Sequence, residues 1–94
     1  MIEIKQEVDG QIGRFVVYKS GEFAGELAFN WLGESTFVIE HTSIEERFKG
    51  KGLGHQLVMS AVRFARENNL KIIPACGFSK FIFVKDRSME NVTT

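Results

Sequence analysis

The chain has 94 residues, room for one domain spanning residues 1–94 and no second. At 44% hydrophobic, with nine Phe, it can bury a core of its own despite its size. Its 12 Lys and Arg balance 12 Asp and Glu, so no overall charge draws it to nucleic acid or a membrane surface, and neither is expected as a partner.

The single cysteine excludes an internal disulfide and argues against a cysteine zinc cage, so no metal is expected. The start, Met-Ile-Glu-Ile-Lys-Gln-Glu, lacks the basic-then-apolar plan of a signal peptide. No apolar run approaches the roughly 20 residues that span a bilayer. A cytoplasmic protein is expected.

Taken in order, the first half reads as strand and turn. Ile2 and Ile4 alternate with Glu3 and Lys5, which suggests a short first strand, and Asp9-Gly10 is a turn signal. Residues 13–18 read as a second strand, and Lys19-Ser20-Gly21-Glu22 as a hairpin turn. Residues 23–31 read as a third, with Phe23, Leu27 and Phe29 on one face. Gly33-Glu34-Ser35 turns the chain into a fourth strand over residues 36–43. These spacings fit an antiparallel meander.

The period then changes. Leu53, Leu57, Val58, Ala61, Val62, Phe64 and Ala65 recur at three- and four-residue steps, an apolar stripe on one helical face. The helix should end near Asn68-Asn69. Residues 71–76 read as a fifth strand, residues 78–84 as a short closing helix, and residues 88–94 as a polar tail. The strand–helix–strand unit over residues 36–76 should place its strands parallel, with His41-Thr42 and Cys76 at the same ends and near each other. Pro74 cannot donate to a ladder, so the fifth strand should splay from the fourth there and open a slot.

Between the fourth strand and the helix lies Arg47-Phe48-Lys49-Gly50-Lys51-Gly52-Leu53-Gly54. Glycines at alternate positions let the backbone turn tightly and approach a ligand with no Cβ in the way. The following helix points its unpaired N–H groups and the positive end of its dipole into the same turn. With Arg47, Lys49 and Lys51 around it, this arrangement suits a phosphate or pyrophosphate.

These residues resemble the Gcn5-related N-acetyltransferase (GNAT) superfamily, whose loop signature Gln/Arg-x-x-Gly-x-Gly/Ala is matched by Arg47-x-x-Gly50-x-Gly52. The chain is most similar to a minimal single-domain branch that reads His-Thr at the end of the fourth strand, then the glycine loop, then Cys-x-Phe/Tyr. Here those are His41-Thr42, residues 47–54, and Cys76-Gly77-Phe78. The resemblance implies an α+β fold: a largely antiparallel N-terminal sheet, then a β-α-β unit with splayed parallel strands and a short C-terminal helix. The helices usual after the first strand are missing between Gly10 and Phe15.

The resemblance further implies acetyl-CoA as acyl donor. Its pyrophosphate would lie on the loop and its pantetheine arm in the slot, with contacts from Thr42, Ile44, Arg47, Lys49, Gly50, Lys51, Gly52, Leu53, Gly54 and Phe78. Cys76 and His41 are the candidate catalytic residues. A lone cysteine is most often a small buried hydrophobe, but at a strand end beside the thioester it becomes a candidate nucleophile, with His41 to lower its pKa or take its proton. Transfer through acetyl-Cys76 and direct attack by an acceptor amine both remain open, as does a coenzyme A binding module without efficient turnover. A monomer or weak homodimer is expected.

Overall fold

The computed structural model describes residues 1–93. Five strands, β1 (Ile2–Asp9), β2 (Ile12–Lys19), β3 (Glu22–Trp31), β4 (Thr36–Ile44) and β5 (Lys71–Pro74), form one sheet in sequence order. The first four are antiparallel and β5 joins β4 in parallel, as expected of an α+β fold. Helix α1 (Leu53–Glu67) makes the crossover, and α2 (Gly77–Lys85) follows β5. No helix among the described residues is long and apolar enough to cross a membrane.

The turns form for local reasons. Ser20 and Gly21 both take positive φ, 51° and 83°, the pattern of a two-residue turn whose twist matches the strands it joins. Asn69 takes φ 55° just past α1, a left-handed stop that short polar side chains tolerate. Strand β1 runs four residues further than the alternation over residues 2–5 suggests, because all of Ile2 to Asp9 finds a partner in β2.

One face of the sheet carries the core. Phe15, Phe29, Trp31 and Phe37 cluster around Phe64 of α1, with ring centroids 5.0 to 6.4 Å apart in tilted and edge-on arrangements. Leu57, Val58, Ala61, Val62 and Ala65 of α1 are buried against the same face. Both helices contribute to this one core. We call this face inner and the opposite face outer.

Two β-bulges alter the faces that simple alternation assigns. Val17 pairs with Gly25 but Tyr18 with Phe23, which leaves Ala24 as an extra residue. Ala24 is thereby turned into the core, while Phe23 leaves the face of Leu27 and Phe29 and sits edge-on to Tyr18. In β4, Ala28 pairs with His41 and Phe29 with Ile39, so Glu40 is the extra residue. The second bulge decides the site.

Residues 88–93 of the expected polar tail pack instead, and Thr94 lies outside the described residues. A 3-10 helix, Arg87–Val92, buries Met89 and Val92, and Thr93 bridges in parallel to Ile72 of β5. Arg66 of α1 donates to the Ser88 carbonyl at 2.8 Å, and Lys71 donates to that of Asn91. The polar residues hide two apolar anchors at a spacing too short to show a period. Met89→Ala should therefore lower stability by about 2–4 kcal/mol in urea unfolding. A loose tail would leave it within about 0.5 kcal/mol.

Candidate functional site

Pairing of β5 with β4 ends where Pro74 faces Ile39, the last link being the Ala75 N–H to the Ile39 carbonyl at 3.0 Å. Strand β4 runs on to Ile44 with only β3 beside it. The Glu45 N–H bonds to the Ala24 carbonyl at 2.8 Å, which sets the phase of the ladder. Ser43 and His41 then direct their backbone groups to β3, while Thr42 and Ile44 direct theirs to the vacant side. The slot expected beside Pro74 is present.

That open edge forms one side of a groove of about 610 Å³. Thr42, Ile44, Lys49, Gly50, Gly52, Leu53, Gly54 and Phe78, among the residues expected to bind the coenzyme, all line it. Gly50 and Gly52 take φ of 80° and 77°, where other L-residues are strained, and no atom stands within 4 Å of where their Cβ would be. Gly52 caps α1 without a side-chain bond, and the first backbone bond of the helix runs from the Gln56 N–H to the Gly52 carbonyl at 3.1 Å. The N–H groups of Leu53, Gly54 and His55 therefore have no partner within the helix, and the positive end of the helix dipole lies at the groove.

Phe78 of α2 lies across the first turn of α1. A Cβ on Gly54 would come within 2.9 Å of its ring, so the third glycine serves packing as well as approach. Of the three basic residues, only Lys49 lines the groove, and it lies 3.5 Å from Glu46. Arg47 is bound outward to Glu22 at 2.6 Å, its guanidinium 4.7 Å from the centre of the Phe48 ring. Lys51 is exposed and does not line the groove. What this end of the groove offers is chiefly backbone N–H groups, with one lysine beside them.

Cys76 caps the N-terminus of α2. Its Sγ receives the Ser79 backbone N–H at 3.3 Å, lies 3.1 Å from Ser79 Oγ, and is 3.7 Å from Thr42 Oγ1 in the slot. Burial pushes the thiol pKa up, but hydrogen bonding with the Ser79 side chain and backbone, with Thr42 and with the Phe78 backbone outweighs it. The net result is a thiol below its ordinary range. Ser79, fully buried, is a site residue that sequence reading passed over. Its signal was the Cys76-x-x-Ser79 spacing of an N-cap.

His41 does not join Cys76. The bulge at Glu40 advances the alternation by one residue, so Thr42 shares the inner face with Leu27 while His41 shares the outer face with Ala28. There His41 Nε2 lies 3.1 Å from Glu26 Oε2, and Glu26 Oε1 accepts from Arg14 Nη1 at 2.7 Å. The Arg14 hydrogen bond first, then that of His41, holds the Glu26 carboxyl below its usual range. The expected His41–Cys76 pair is thus corrected to two separate groups on opposite sides of one strand.

Comparison with known proteins agrees with this fold. The sequence profile of the GCN5-related N-acetyl-transferase family matches residues 14–92. The chain belongs to the GCN5-related N-acetyltransferase family. A GCN5-like protein from Staphylococcus aureus, known from its solution structure, is 30% identical with a TM-score of 0.74, over 98% of this chain and 87% of that one. A GNAT family acetyltransferase from Elizabethkingia anophelis, solved with acetyl-CoA bound, shares the fold at a TM-score of 0.71 with 14% identity, over 89% of this chain and 72% of that one. Protein NATD1 of Xenopus tropicalis is 29% identical over 52 residues, 55% of this chain but only about half, 48%, of its own length.

The surroundings of Cys76 make a measurable claim. Its alkylation by iodoacetamide should show a midpoint below that of a free thiol, about 8.5. Ser79→Ala should move the midpoint upward by removing one hydrogen bond to the thiolate. A midpoint unmoved by the substitution would leave the Ser79 contact without influence on Cys76.

Proposed function

We propose that residues 1–94 form one acetyl-CoA-dependent N-acetyltransferase domain, in which the acyl group passes through Cys76. One observation carries the reading: a glycine turn and helix N-terminus with unpartnered N–H groups open onto the unpaired edge of β4, and Cys76 is reached through Thr42. Gly50, Gly52 and the first N–H groups of α1 would hold the pyrophosphate, with Lys49 balancing its charge. The free N–H and C=O groups of Thr42 and Ile44 would pair with the amides of the pantetheine arm, as an added strand would. The acetyl-CoA bound to the Elizabethkingia relative supports the choice of donor.

Chemistry at Cys76 follows from its cap position. The Ser79 N–H and the N-terminal end of α2 favour the thiolate, so no histidine is needed to create it. The thiolate attacks the thioester carbonyl, the bond to the coenzyme sulfur breaks, and the coenzyme leaves as its thiol after taking a proton. An acceptor amine then attacks acetyl-Cys76, the carbon–sulfur bond breaks, the amine loses a proton to solvent, and the amide and the thiolate are formed.

Two experiments test this. Intact mass after brief exposure to acetyl-CoA should show one added acetyl on the wild type and none on Cys76→Ser. Acetyl transfer to an amine with no adduct on Cys76 would favour direct attack instead, and binding without any transfer would reduce the chain to a coenzyme-binding module. Separately, Gly50→Val and Gly52→Val, which force a β-branched residue to positive φ in the groove, should weaken acetyl-CoA at least about ten-fold by calorimetry while the circular dichroism is kept. Undiminished affinity in both would remove the loop from the binding site.

A further inference from the structure

Strand β1 pairs with β2 on one side and with no strand on the other. The Ser20 N–H bonds to the Met1 carbonyl at 2.9 Å, which sets the phase of that ladder. Glu3 opposite Tyr18 and Lys5 opposite Val16 then turn their backbone groups toward β2. The N–H and C=O groups of Ile2, Ile4, Gln6 and Val8 point the other way, away from the sheet. On the inner face, half-buried Ile2 and Ile4 line a groove of about 500 Å³, with Met59 and Phe64 of α1 across from them. The groove holds α1 back from this edge, so the helix does not block the approach of a strand.

The charges on β1 decide what that strand can be. Among the described residues neither Glu3 nor Lys5 has an ion pair, and Lys5 stands 5.8 Å from the centre of the Tyr18 ring. A charge on an edge strand ordinarily keeps other strands away. Here an acid and a base two residues apart flank an isoleucine, and the same segment reversed is their complement. A two-fold axis through Glu3, Glu7 or Asp9 would set that carboxylate opposite its own copy, and one through Lys5 would oppose two lysines. Centring on Gln6 would oppose Glu3 and Asp9, and centring on Val8 would oppose Glu7 and Asp9. Centring on Ile4 sets Glu3 opposite Lys5 twice and like charges nowhere.

We propose that β1 pairs antiparallel with β1 of a second copy about a two-fold axis at Ile4, joining two five-stranded sheets into one continuous sheet. The backbone phase agrees with the charges. Ile4 meets the partner's Ile4, and Ile2 meets the partner's Gln6, each through the groups that β2 leaves unused. Glu3 and the partner's Lys5 form the closer, non-hydrogen-bonded pair, where side chains interact most strongly. The axis stands perpendicular to the sheet, so both inner faces lie on the same side. Ile4 then packs on the partner's Ile4, and the apolar strip of one groove continues into the other. The coenzyme groove, three strands away at β4, stays open in both copies, and the pairing does not depend on the acetyltransferase reading.

The test is sedimentation equilibrium of the full chain from about 1 µM to about 1 mM, where so short an interface should dissociate at roughly 10–100 µM. Glu3→Lys and Lys5→Glu each make both cross-strand pairs repulsive and should weaken the dimer at least about ten-fold. Mixing these two variants should restore it, because every lysine then meets a glutamate. Ile4→Pro removes an N–H that β2 does not use, and should abolish the dimer while the circular dichroism is kept. Should the proline disturb β1, the exposed charge reversals carry the test. Amide exchange of Ile2, Ile4 and Gln6 should slow as concentration rises, while that of Val8 stays fast. A chain that remains monomeric to about 1 mM would overturn the proposal. A dimer that survives Ile4→Pro and both charge reversals uses another surface and overturns it too. Loss of the dimer in both reversals without recovery on mixing would overturn the register at Ile4.

Discussion

Pro74 has no N–H to give to β4, and the parallel ladder ends one residue later at Ala75. Most of what the molecule can do follows from that break. Beyond it β4 keeps one side of its backbone unpaired, which in a core would be costly and beside a ligand is a binding surface. The break also fixes where the chain turns back, so Cys76 begins α2 at the mouth of the gap and Phe78 reaches the first turn of α1. A fifth strand running three residues longer would close the slot with its own hydrogen bonds.

The extra residue in β4 complements this break. Without Glu40 as a bulge, His41 would face the inner side with Ile39 and Phe37, among apolar residues. With it, Thr42 takes the inner side and reaches the thiol, while His41 is placed among Glu26, Arg14 and Glu40. One inserted residue thus separates the Cys76 thiol from the His41 ring by the thickness of a strand. The Cys76 thiol is held at the N-terminus of α2, and His41 is held by the Glu26 carboxylate.

The elements with strong local chemistry were legible in the sequence. The glycine turn, the α1 stripe, the Asp9-Gly10 and Ser20-Gly21 turns and the splay at Pro74 all follow from residues whose backbone preferences are narrow. Bulges are different, since Ala24 and Glu40 are ordinary residues in their strands and nothing in their neighbours announces an extra count. Alternation therefore sets Phe23 beside Leu27, and shared strand ends set His41 beside Cys76, and a bulge undoes each by one residue. The C-terminal segment was missed for a related reason. Met89 and Val92 are two anchors in six residues, and burial there depends on Leu70, Ile72 and α1, which sequence distance hides.

That segment has a consequence beyond the core. A sheet of five strands has two edges, each a row of backbone groups to which another strand could add. At β5, the Thr93 bridge to Ile72 and the 3-10 helix before it cover one edge. Among the described residues, β1 has no strand along its outer side, and β4 keeps a second free stretch of edge beyond Ile39. Strand addition through β1 would use that outer edge in each partner, so pairing by β1 alone joins two copies. At the other end of the sheet, the docked C-terminal segment occupies the place where a further strand would add to β5.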